Sequence, residues 1–564
     1  MEKQVTHEGD YIPDQSVFRP ESPYARYIPG GFSPSRCMSL QGKAMTYAIF
    51  LFSGCAIHFF GYDTAVMSQV NDNENYIEMM SISGGSGRDA AAIGGLVSLW
   101  FGGFALGTIF TTIGLHEFCL QIPGALIVGN IADSIGRLKT IQLGCLWGIF
   151  GAALLASAQN ITWFAFARVI SGVGCGHLNT IVPVWTSELA DPHLRGAFVA
   201  VQFTLAMVGS TVAYWMEFGC TKTQSFSFSW RFPLGCQIIF LILILLAAPF
   251  YPESPRHLAK TGDLAGARSV LQKCRVEADE QKIETEIQEI IVAICAEAKS
   301  TSNSFYSMLF MRDKLHTRRR VIIGCGVQVM QKLTGIDFIA VYAPDMFSLS
   351  GLKGDKPALL AGGNWFGYIV SLALSIYLCD RVGRRWLMLT GCLLMGIVLA
   401  VGGVLSYETI SQTASDPVLA NKFGSCVVAI LYIYTFIYGS TWLTTCWVYP
   451  TEVFPLASRS KGAALATFAF SIAGGTINII IPYLINAIGF WVFILFGLIN
   501  LALLVPIYLF YVETANRHLE QLNILLSSDS CLAWRAEKDF IKKMNEQDDI
   551  LGDVQEKNSV EQVA

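Results

Sequence analysis

Asp133-Ser-Ile-Gly-Arg137 is a short polar motif between two long apolar runs, and it returns about half a chain later as Asp380-Arg-Val-Gly-Arg-Arg385. Clusters of basic residues at the ends of apolar runs are typical of the cytoplasmic loops of membrane proteins. Because this loop motif occurs twice, we predict that the chain is built from two copies of one structural unit.

Acidic residues repeat with the same spacing and favour the same conclusion. Glu188 stands seven residues before Arg195, and Glu452 stands seven residues before Arg459. A third acidic residue follows a hydrophobic hairpin in each half of the chain. Two parallel membrane repeats suit a molecule whose halves rock around a central site, which is the principle of alternating access. The repeat therefore predicts a transporter.

The composition is typical of a membrane protein. Of 564 residues, 53% are hydrophobic and 15% are charged, and the apolar runs of about twenty residues are long enough to cross roughly 30 Å of hydrocarbon as helices. The net charge of -4 is small and does not favour nucleic acid as a partner. Most of the fifteen cysteines stand singly in apolar runs, which favours packing roles over disulfides or a metal site. The sequence has no phosphate-binding loop and no nucleophile motif, so we expect neither an enzyme nor a cofactor.

Twelve membrane spans are predicted, six on each side of a large polar segment. The expected fold is an all-α membrane protein with two pseudo-symmetric six-helix bundles. The expected domains are a disordered cytoplasmic arm at 1–43, an N-terminal bundle at 44–250, a cytoplasmic linker with short helices at 251–320, a C-terminal bundle at 321–511 and a polar cytoplasmic tail at 512–564. The expected spans are 45–68, 91–132, 140–158, 163–185, 197–218, 231–250, 321–348, 357–379, 386–406, 424–449, 461–486 and 488–511.

The stretch 91–132 is too long for one helix and is interrupted by polar residues at 116–117 and 121–123. Two spans there would move the following basic loop to the opposite side of the membrane and break the charge pattern. We therefore expect one span with an insertion near 107–123.

The distribution of lysine and arginine predicts the orientation in the membrane. The segment 251–320 holds twelve of these residues, and other clusters lie at 137–139, 381–385 and 459–461. Even numbers of predicted spans separate these loops from one another, so the positive-inside rule places them and both termini in the cytoplasm.

Seven motifs, in order and at the ends of spans, give the chain a family resemblance. They are Gly61-Tyr-Asp-Thr64, Asp133-Ser-Ile-Gly-Arg137, Pro183-Val-Trp-Thr-Ser-Glu188, Pro252-Glu-Ser-Pro-Arg256, Gln331-Lys-Leu-Thr-Gly-Ile-Asp337, Asp380-Arg-Val-Gly-Arg-Arg385 and Trp447-Val-Tyr-Pro-Thr-Glu-Val-Phe-Pro455. With them the chain resembles the sugar porter branch of the major facilitator superfamily from about residue 45 to about residue 520, and it looks most like fungal members. The resemblance implies a secondary transporter.

Two of the charged residues inside predicted spans are an anion and a cation of the first half. Asp63 in the first span and Arg168 in the fourth are surrounded by apolar residues, and because a lone charge is costly in hydrocarbon we expect them to pair. In proton-coupled sugar porters an aspartate of this motif faces an arginine of the fourth span, so the resemblance implies that Asp63 is the protonation site. A movable arginine would then tie proton binding to the conformational cycle. The alternative is a static ion pair in a passive facilitator.

The resemblance also implies a sugar site at mid-membrane between the halves. By motif position, Gln202, Gln331 and Trp447 match residues that bind sugar hydroxyls or cover the ring, with helix packing as the alternative for each. Aromatic residues elsewhere in the spans, among them Trp100 and Phe101, are expected to face lipid or to pack.

The seventh predicted span departs from the pattern of hexose carriers. Lys332 and Asp337 stand where a second glutamine and an asparagine are usual, so two amides are exchanged for opposite charges. A helix break at Thr334-Gly335 would let them form a salt bridge that keeps the pocket neutral. Alternatively, Lys332 binds the carboxylate of a sugar acid or of quinate, and Asp337 binds ring hydroxyls. Tyr368 stands where many relatives place another asparagine, and Asn478 is displaced from the usual amides of the eleventh span.

Another group of charged residues lies at the predicted cytoplasmic helix ends. Its arginines can bind carboxylates of neighbouring helix ends and so latch the two halves when the inner gate is shut. The alternative is that these residues anchor helix ends at the membrane surface. The expected gate residues are Asp133, Arg137, Glu188, Arg195, Glu253, Arg256, Asp380, Arg384, Arg385, Glu452, Arg459 and Glu513.

The predicted function is import of a monosaccharide, disaccharide or polyol with a proton, by a monomer in the lipid bilayer of the plasma membrane. The alternatives are a uniporter of the same fold, a carrier for quinate or a sugar acid, and a sensor that binds sugar without transporting it. Dependence of uptake on a proton gradient separates symport from uniport, and binding without accumulation identifies a sensor.

Overall fold

The structure is a computed structural model, and it describes residues 40–71, 73–82, 87–112, 135–190, 195–222, 227–275, 280–299, 305–310, 313, 315–342, 347, 355–413, 415–455, 458–515, 517, 519–528 and 530–542. Within these ranges the chain is helical apart from short connections. Ten of the described helical segments are long and apolar enough to cross a membrane. Two more, Arg195–Thr221 and the broken helix formed by Thr317–Leu333 and Ile336–Ala340, pack among them and complete the twelve.

The membrane helices are numbered in chain order. Their bounds are Gly42–Ala65 (α1), Gly87–Thr112 (α2), Arg137–Ala156 (α3), Ile161–Leu189 (α4), Arg195–Thr221 (α5), Phe228–Ala247 (α6), Thr317–Leu333 continued by Ile336–Ala340 (α7), Lys356–Val382 (α8), Arg384–Gln412 (α9), Pro417–Tyr438 continued by Gly439–Leu443 and Thr444–Val453 (α10), Arg459–Ile488 (α11) and Trp491–Phe510 (α12).

The same packing occurs twice. In the first half α3 packs against α4 and α6 while α1 packs against α5; in the second half α9 packs against α10 and α12 while α7 packs against α11. The halves meet where α2 lies against α11 and where α5 lies against α8. The prediction of two pseudo-symmetric six-helix bundles in a multi-pass membrane protein is therefore confirmed.

Glycines let α2 and α4 approach closely. A Cβ atom on Gly103 would lie 2.0 Å from the carbonyl oxygen of Val169, and one on Gly172 would lie 2.2 Å from the carbonyl oxygen of Trp100. Backbones at this separation leave no space for a larger residue, as is usual where small residues join membrane helices. This contact places Trp100 of α2 close to Arg168 of α4.

The break in α7 has a clear local cause. Gly335 has a φ of +93°, which lies in the left-handed region and interrupts the helix. The carbonyl oxygen of Thr334 accepts hydrogen bonds from the Tyr434 hydroxyl at 2.9 Å and from Asn500 Nδ2 at 2.8 Å. Polar groups of neighbouring helices thus satisfy a backbone acceptor at the break, as hydrocarbon surroundings require.

Short helices outside the membrane follow each bundle. In the linker these helices are Pro255–Thr261, Leu264–Cys274, Glu280–Lys299 and Phe305–Phe310. In the tail, the helix Leu519–Leu526 packs against the end of α10, and the buried Arg320 donates hydrogen bonds to the Val453 carbonyl oxygen at 2.7 Å and to Asn523 Oδ1 at 2.9 Å. The first part of the tail is therefore a docked element, which its polar composition did not predict.

Some predicted boundaries fall outside the described part of the chain. These are residues 1–39 of the arm, residues 113–123 of the insertion and the end of the tail from 543. Residues 107–112 belong to the last turns of α2. The boundaries of the arm and of the insertion stay predictions.

Candidate functional site

A narrow cavity of about 70 Å³ lies between the two bundles beside the break in α7. The first half contributes residues of α1 and α5, and the second half contributes residues of α7, α8, α10 and α11. The space suits a few water molecules, so a sugar ring would enter only when wall side chains separate. Five predicted substrate residues line the cavity, and they are Gln331, Lys332, Asp337, Tyr368 and Trp447.

The first half holds one buried ion pair. Asp63 of α1 and Arg168 of α4 are each at most 1% exposed, and Arg168 Nη1 lies 3.6 Å from Asp63 Oδ1. That separation is longer than a hydrogen bond. The other carboxylate oxygen, Oδ2, accepts hydrogen bonds from Trp100 Nε1 at 2.6 Å and from the Ser171 hydroxyl at 2.7 Å. The predicted pairing is present, and two neutral donors bind the carboxylate more closely than its cation does.

Asp63 is placed beside the cavity and does not line it. Its neighbours Gly61 and Thr64 on α1 do line it. Protonation of the carboxylate would therefore act on the cavity through the packing of α1 and α2, because the carboxylate does not touch the cavity itself.

The second half holds a different ion pair. Lys332 Nζ donates to Asp337 Oδ1 at 2.8 Å and to Oδ2 at 2.9 Å. The break at Gly335 brings these residues together, since five positions on an unbroken helix would point them apart. The salt bridge predicted from the sequence is formed, and it leaves the cavity wall without net charge.

Aromatic and amide groups complete the environment of this pair. Lys332 Nζ lies 4.2 Å from the ring centre of Phe470 and 4.9 Å from that of Phe101, both within cation–π range. Asn478 Nδ2 donates to Asp337 Oδ2 at 2.9 Å. The ammonium thus has a carboxylate on one side and two rings on the other.

Hydroxyl and amide groups form the remaining wall of the cavity. Gln331 Nε2 donates to the Tyr438 hydroxyl at 2.8 Å. The ring of Tyr368 stacks on Trp365 with centres 5.9 Å apart and meets Tyr438 edge-on at the same distance. This wall offers both donors and acceptors to a ligand that carries hydroxyl groups.

Trp447 closes the cavity on the side of the arginine motifs. Its ring lies 4.9 Å from Phe203 of α5 and 5.1 Å from Phe470 of α11, measured between ring centres. Because Phe203 belongs to the first half, this stack joins the two bundles.

Gln202 is placed differently from the motif-based expectation. Its side chain is 1% exposed, donates to the Thr186 hydroxyl at 3.0 Å and does not line the cavity, whereas Phe203 does. Adjacent residues of a helix point about 100° apart, so one position decides which side chain faces the centre. A role for Gln202 in substrate binding stays a prediction, and it would require the amide to leave Thr186.

Two aromatic residues of α2 pack inside the protein, which is one of the two roles expected for them. Trp100 and Phe101 are 1% and 2% exposed, so neither faces lipid. Trp100 binds Asp63, and Phe101 covers Lys332. Trp100 stands three residues, about one helical turn, before Gly103, which brings α2 against α4, and this spacing is a sequence signal for the burial of Trp100.

The first cytoplasmic-type cluster joins three segments of the first half. Gly136 has a φ of +96°, and the next residue, Arg137, forms a two-pronged ion pair with Glu188 through Nε at 3.0 Å and Nη2 at 3.1 Å. Glu253 accepts from the backbone N–H groups of Arg137 at 3.1 Å and Leu138 at 3.2 Å, at the start of α3. Burial raises the pKa of the Glu253 carboxyl, and these backbone donors and Arg137 act in the opposite direction.

The second half repeats this arrangement. Gly383 has a φ of +98°, and Arg384 Nη2 lies 3.0 Å from Glu452 Oε1. Glu513 accepts from the backbone N–H groups of Arg384 at 2.8 Å and Arg385 at 3.1 Å. A carboxylate at a helix N-terminus satisfies backbone donors and interacts favourably with the helix dipole.

The contacts described above for each cluster lie within one half of the molecule. Arg256 lies in the helix Pro255–Thr261, and Arg459 begins α11. Asp133 lies outside the described residues, and the side chains of Arg195 and Asp380 are outside them as well. The observed ion pairs anchor helix ends, while the predicted latch between halves stays a prediction.

The bundles also touch at the end opposite to the arginine motifs. The Tyr214 hydroxyl donates to the Ala358 carbonyl oxygen at 2.8 Å, and the Ser98 hydroxyl donates to the Gly475 carbonyl oxygen at 2.7 Å. Together with the Trp447 stack, these contacts enclose the cavity between the bundles.

Known proteins resemble this chain in sequence. The MFS-type transporter criB of Aspergillus cristatus is 29% identical over 432 residues, which cover 76% of this chain and 85% of that protein. The sugar transporter STL1 of Saccharomyces cerevisiae is 27% identical over 509 residues, which cover 88% of this chain and 84% of that protein.

Solved structures share the fold. The proton:xylose symporter XylE bound to 6-bromo-6-deoxy-D-glucose superposes with a TM-score of 0.70 at 21% identity, covering 86% of this chain and 100% of that chain. The partially occluded inward-open conformation of XylE from E. coli gives a TM-score of 0.67 at 19% identity, covering 84% and 100%.

A family model described as sugar (and other) transporter matches residues 49–526. This range includes all twelve helices apart from the first turns of α1. The chain therefore belongs to the family of sugar (and other) transporters of the major facilitator superfamily.

Proposed function

We propose that this protein carries an uncharged sugar or polyol across the membrane together with a proton, by alternating access. The observation on which the proposal depends is the buried Asp63–Arg168 pair, in which the cation stands 3.6 Å from the carboxylate beside a cavity lined by hydroxyl, amide and aromatic groups. The names of similar proteins, a sugar transporter and a proton:xylose symporter, favour the same function.

Proton coupling follows from the environment of Asp63. A buried carboxylate is costly unless donors or a cation stabilise its charge. Trp100 and Ser171 supply two donors, and Arg168 supplies a cation that is not in hydrogen-bond contact. A small movement of Arg168 would change the affinity of Asp63 for a proton, and a proton on Asp63 would release Arg168.

Recognition of hydroxyl groups follows from the cavity wall. We assign hydrogen bonding to Gln331 and Tyr368, and stacking on the apolar face of a sugar ring to Trp447. Stacking requires Trp447 to leave Phe203, which would also open the contact between the bundles. Substrate binding and movement of the halves would then be one event.

The charges in the wall favour a neutral substrate over a sugar acid or quinate. Both oxygens of Asp337 already bind Lys332, so the ammonium has no anion to gain. A carboxylate entering this neutral cavity would lose its hydration without a free cation to replace it. Release of Lys332 from Asp337 would be needed before an acidic substrate could bind.

The orientation and location are part of the proposal. We assign the basic loops and both termini to the cytoplasm, because arginine clusters at one end of the molecule are what the positive-inside rule predicts for the cytoplasmic side. We propose the plasma membrane as the location. Tagged termini that react with antibody in intact cells would contradict this orientation.

Uptake measurements test the proposal. Cells without their own sugar carriers would be given glucose, xylose, lactose, glycerol, mannitol, gluconate and quinate as competitors of a labelled sugar at pH 5 and pH 7. We expect neutral compounds to compete and uptake to be greater at pH 5. Uptake that is equal at both pH values identifies a uniporter, binding without uptake identifies a sensor, and competition by the acids alone contradicts a neutral substrate.

A further inference from the structure

Two adjacent aromatic residues of α2 connect the two buried ion pairs. Trp100 Nε1 donates to Asp63 Oδ2 at 2.6 Å, and the ring of Phe101 lies 4.9 Å from Lys332 Nζ. Their own rings meet edge-on at 81° with centres 4.9 Å apart. A continuous path of contacts thus runs from the carboxylate in the first half to the ammonium in the second.

Phe101 makes its contact across the boundary between the bundles. A Cβ atom on Gly474 of α11 would lie 2.5 Å from its ring, so α11 can approach the ring only because residue 474 is a glycine. Of the two rings beside Lys332, Phe101 comes from the first half and Phe470 from the second. When α2 and α11 separate, Lys332 therefore loses one ring and keeps the other.

We propose that Phe101 is a positioning residue that couples the charge on Asp63 to the Lys332–Asp337 pair. An ionised Asp63 binds the Trp100 N–H strongly, because a charged acceptor strengthens a hydrogen bond. This bond fixes the indole, the indole fixes the ring of Phe101, and the ring holds the ammonium. A proton on Asp63 weakens the first bond and releases the sequence of contacts as far as Lys332.

The coupling acts in both directions. A ligand that draws Lys332 away from Phe101 leaves the indole of Trp100 less firmly held in the orientation that stabilises an ionised Asp63. Ligand binding therefore raises the affinity of Asp63 for a proton by the same factor by which the proton raises the affinity for the ligand. This inference rests on the proposed function only where it assigns the coupling a biological role, which is to link proton binding to substrate binding. The physical coupling itself requires neither a substrate nor a proton gradient.

Other ionisable groups around the two pairs could titrate as well. Around Asp63 and Arg168 they are Tyr62 of α1, Cys175 of α4 and Tyr76 of the helix Glu74–Met79. Around Asp337 they are Tyr368 of α8 and Tyr434 of α10. At their ordinary pKa values, about 10 for tyrosine and about 8.5 for cysteine, these groups are largely uncharged from pH 5 to pH 8.

A triple-mutant cycle of equilibrium unfolding in mixed detergent micelles tests the coupling. Asp63→Asn is combined with the charge-neutral double variant Lys332→Gln with Asp337→Asn, and the cycle is repeated with Phe101→Leu. Phe104→Leu is the matched control, since Phe104 packs on Trp100 and Phe470, whereas the rings described beside Lys332 are those of Phe101 and Phe470. Phe101→Tyr keeps an aromatic face and serves as the rescue variant, and Phe101→Met replaces Phe101→Leu if that variant does not fold.

We expect a coupling of about twofold to thirtyfold in the unfolding equilibrium constant at pH 8, the range of one cation–π contact. It should persist in Phe104→Leu and Phe101→Tyr and vanish in Phe101→Leu. Additive effects in the wild-type background overturn the inference, and so does coupling that survives in Phe101→Leu. Uptake that ignores pH would overturn the proposed function alone, because this cycle uses no substrate.

Discussion

Asp63 and Arg168 in the first half are separated by 3.6 Å, whereas Lys332 and Asp337 in the second half are in direct contact at 2.8 and 2.9 Å. Both pairs are buried. The first carboxylate depends mainly on Trp100 and Ser171, which are neutral, and the second depends mainly on its cation.

The difference separates a pair that can change its charge from one that cannot easily do so. Donors and a distant cation can be withdrawn from Asp63 in small steps, so its proton affinity can follow the conformation. The direct pair binds its charges to each other, and removal of either partner leaves an uncompensated charge in a buried site. The first pair is suited to coupling, and the second is suited to shaping a neutral cavity.

The largest expected effect is on the first pair. Asp63→Asn should abolish uphill accumulation and retain exchange, because asparagine has the shape of the carboxylate and cannot carry the proton. Accumulation and counterflow in proteoliposomes measure the two processes. Asp355→Asn is the control, since Asp355 forms an exposed ion pair with Lys222. If Asp63→Asn accumulates substrate to the wild-type level, the first pair does not couple transport to a proton.

The next effect concerns the second pair. Lys332→Gln leaves Asp337 buried without its cation and should lower the free energy of unfolding by about 3–5 kcal/mol. Adding Asp337→Asn should restore most of this loss. The stability of the single and double variants is measured by equilibrium unfolding in detergent micelles, and their transport activity is measured by counterflow.

Arg168→Gln sharpens the same comparison. In this variant Asp63 keeps its two hydrogen-bond donors at 2.6 and 2.7 Å. We therefore expect Arg168→Gln to lose less free energy of unfolding than Lys332→Gln. Equal losses in the two variants would mean that the distances do not reflect how the charges are stabilised. If Lys332→Gln alone and Lys332→Gln with Asp337→Asn lose the same free energy of unfolding, the two charges do not depend on each other as proposed.

A smaller effect tests the neutral donors. Ser171→Ala removes the hydroxyl that lies 2.7 Å from Asp63 Oδ2, so the ionised carboxylate is less stable and binds its proton at higher pH. The pH of half-maximal uptake should rise by about one unit. Ser53→Ala is the matched control, because this buried serine of α1 donates to the Phe50 carbonyl oxygen and does not line the cavity. A downward movement in Ser171→Ala would contradict the assignment of Asp63.

The smallest effect is expected where the two halves are alike. Glu253→Gln and Glu513→Gln each remove a carboxylate that accepts backbone N–H groups at the start of α3 or α9. Each should cost about 1 kcal/mol of unfolding free energy. Thermal unfolding in detergent compares them, and a severe loss in one variant only would show that the two clusters are not equivalent.

Several parts of the site could be predicted from sequence because they depend on local patterns. Apolar runs gave the helices, and the cost of lone charges in hydrocarbon gave both ion pairs. The break at Gly335 was predictable because Thr334-Gly335 separates two charges that otherwise could not meet. Gln202 and Phe203 were not distinguished, since one position of helix rotation depends on how α5 packs against its neighbours.

The sequence by itself determined two repeats of six helices, the repeated arginine motifs and the presence of two cation–anion pairs, because hydrophobicity and charge are properties of the residues. Tertiary structure alone decided how far apart each pair stands and which side chains surround it. Gly103 and Gly172 bring Trp100 to Asp63, and Gly474 brings Phe101 over Lys332. The physical reason is that electrostatic and hydrogen-bond energies change steeply over an ångström, and that ångström is set by the packing of helices distant in the chain.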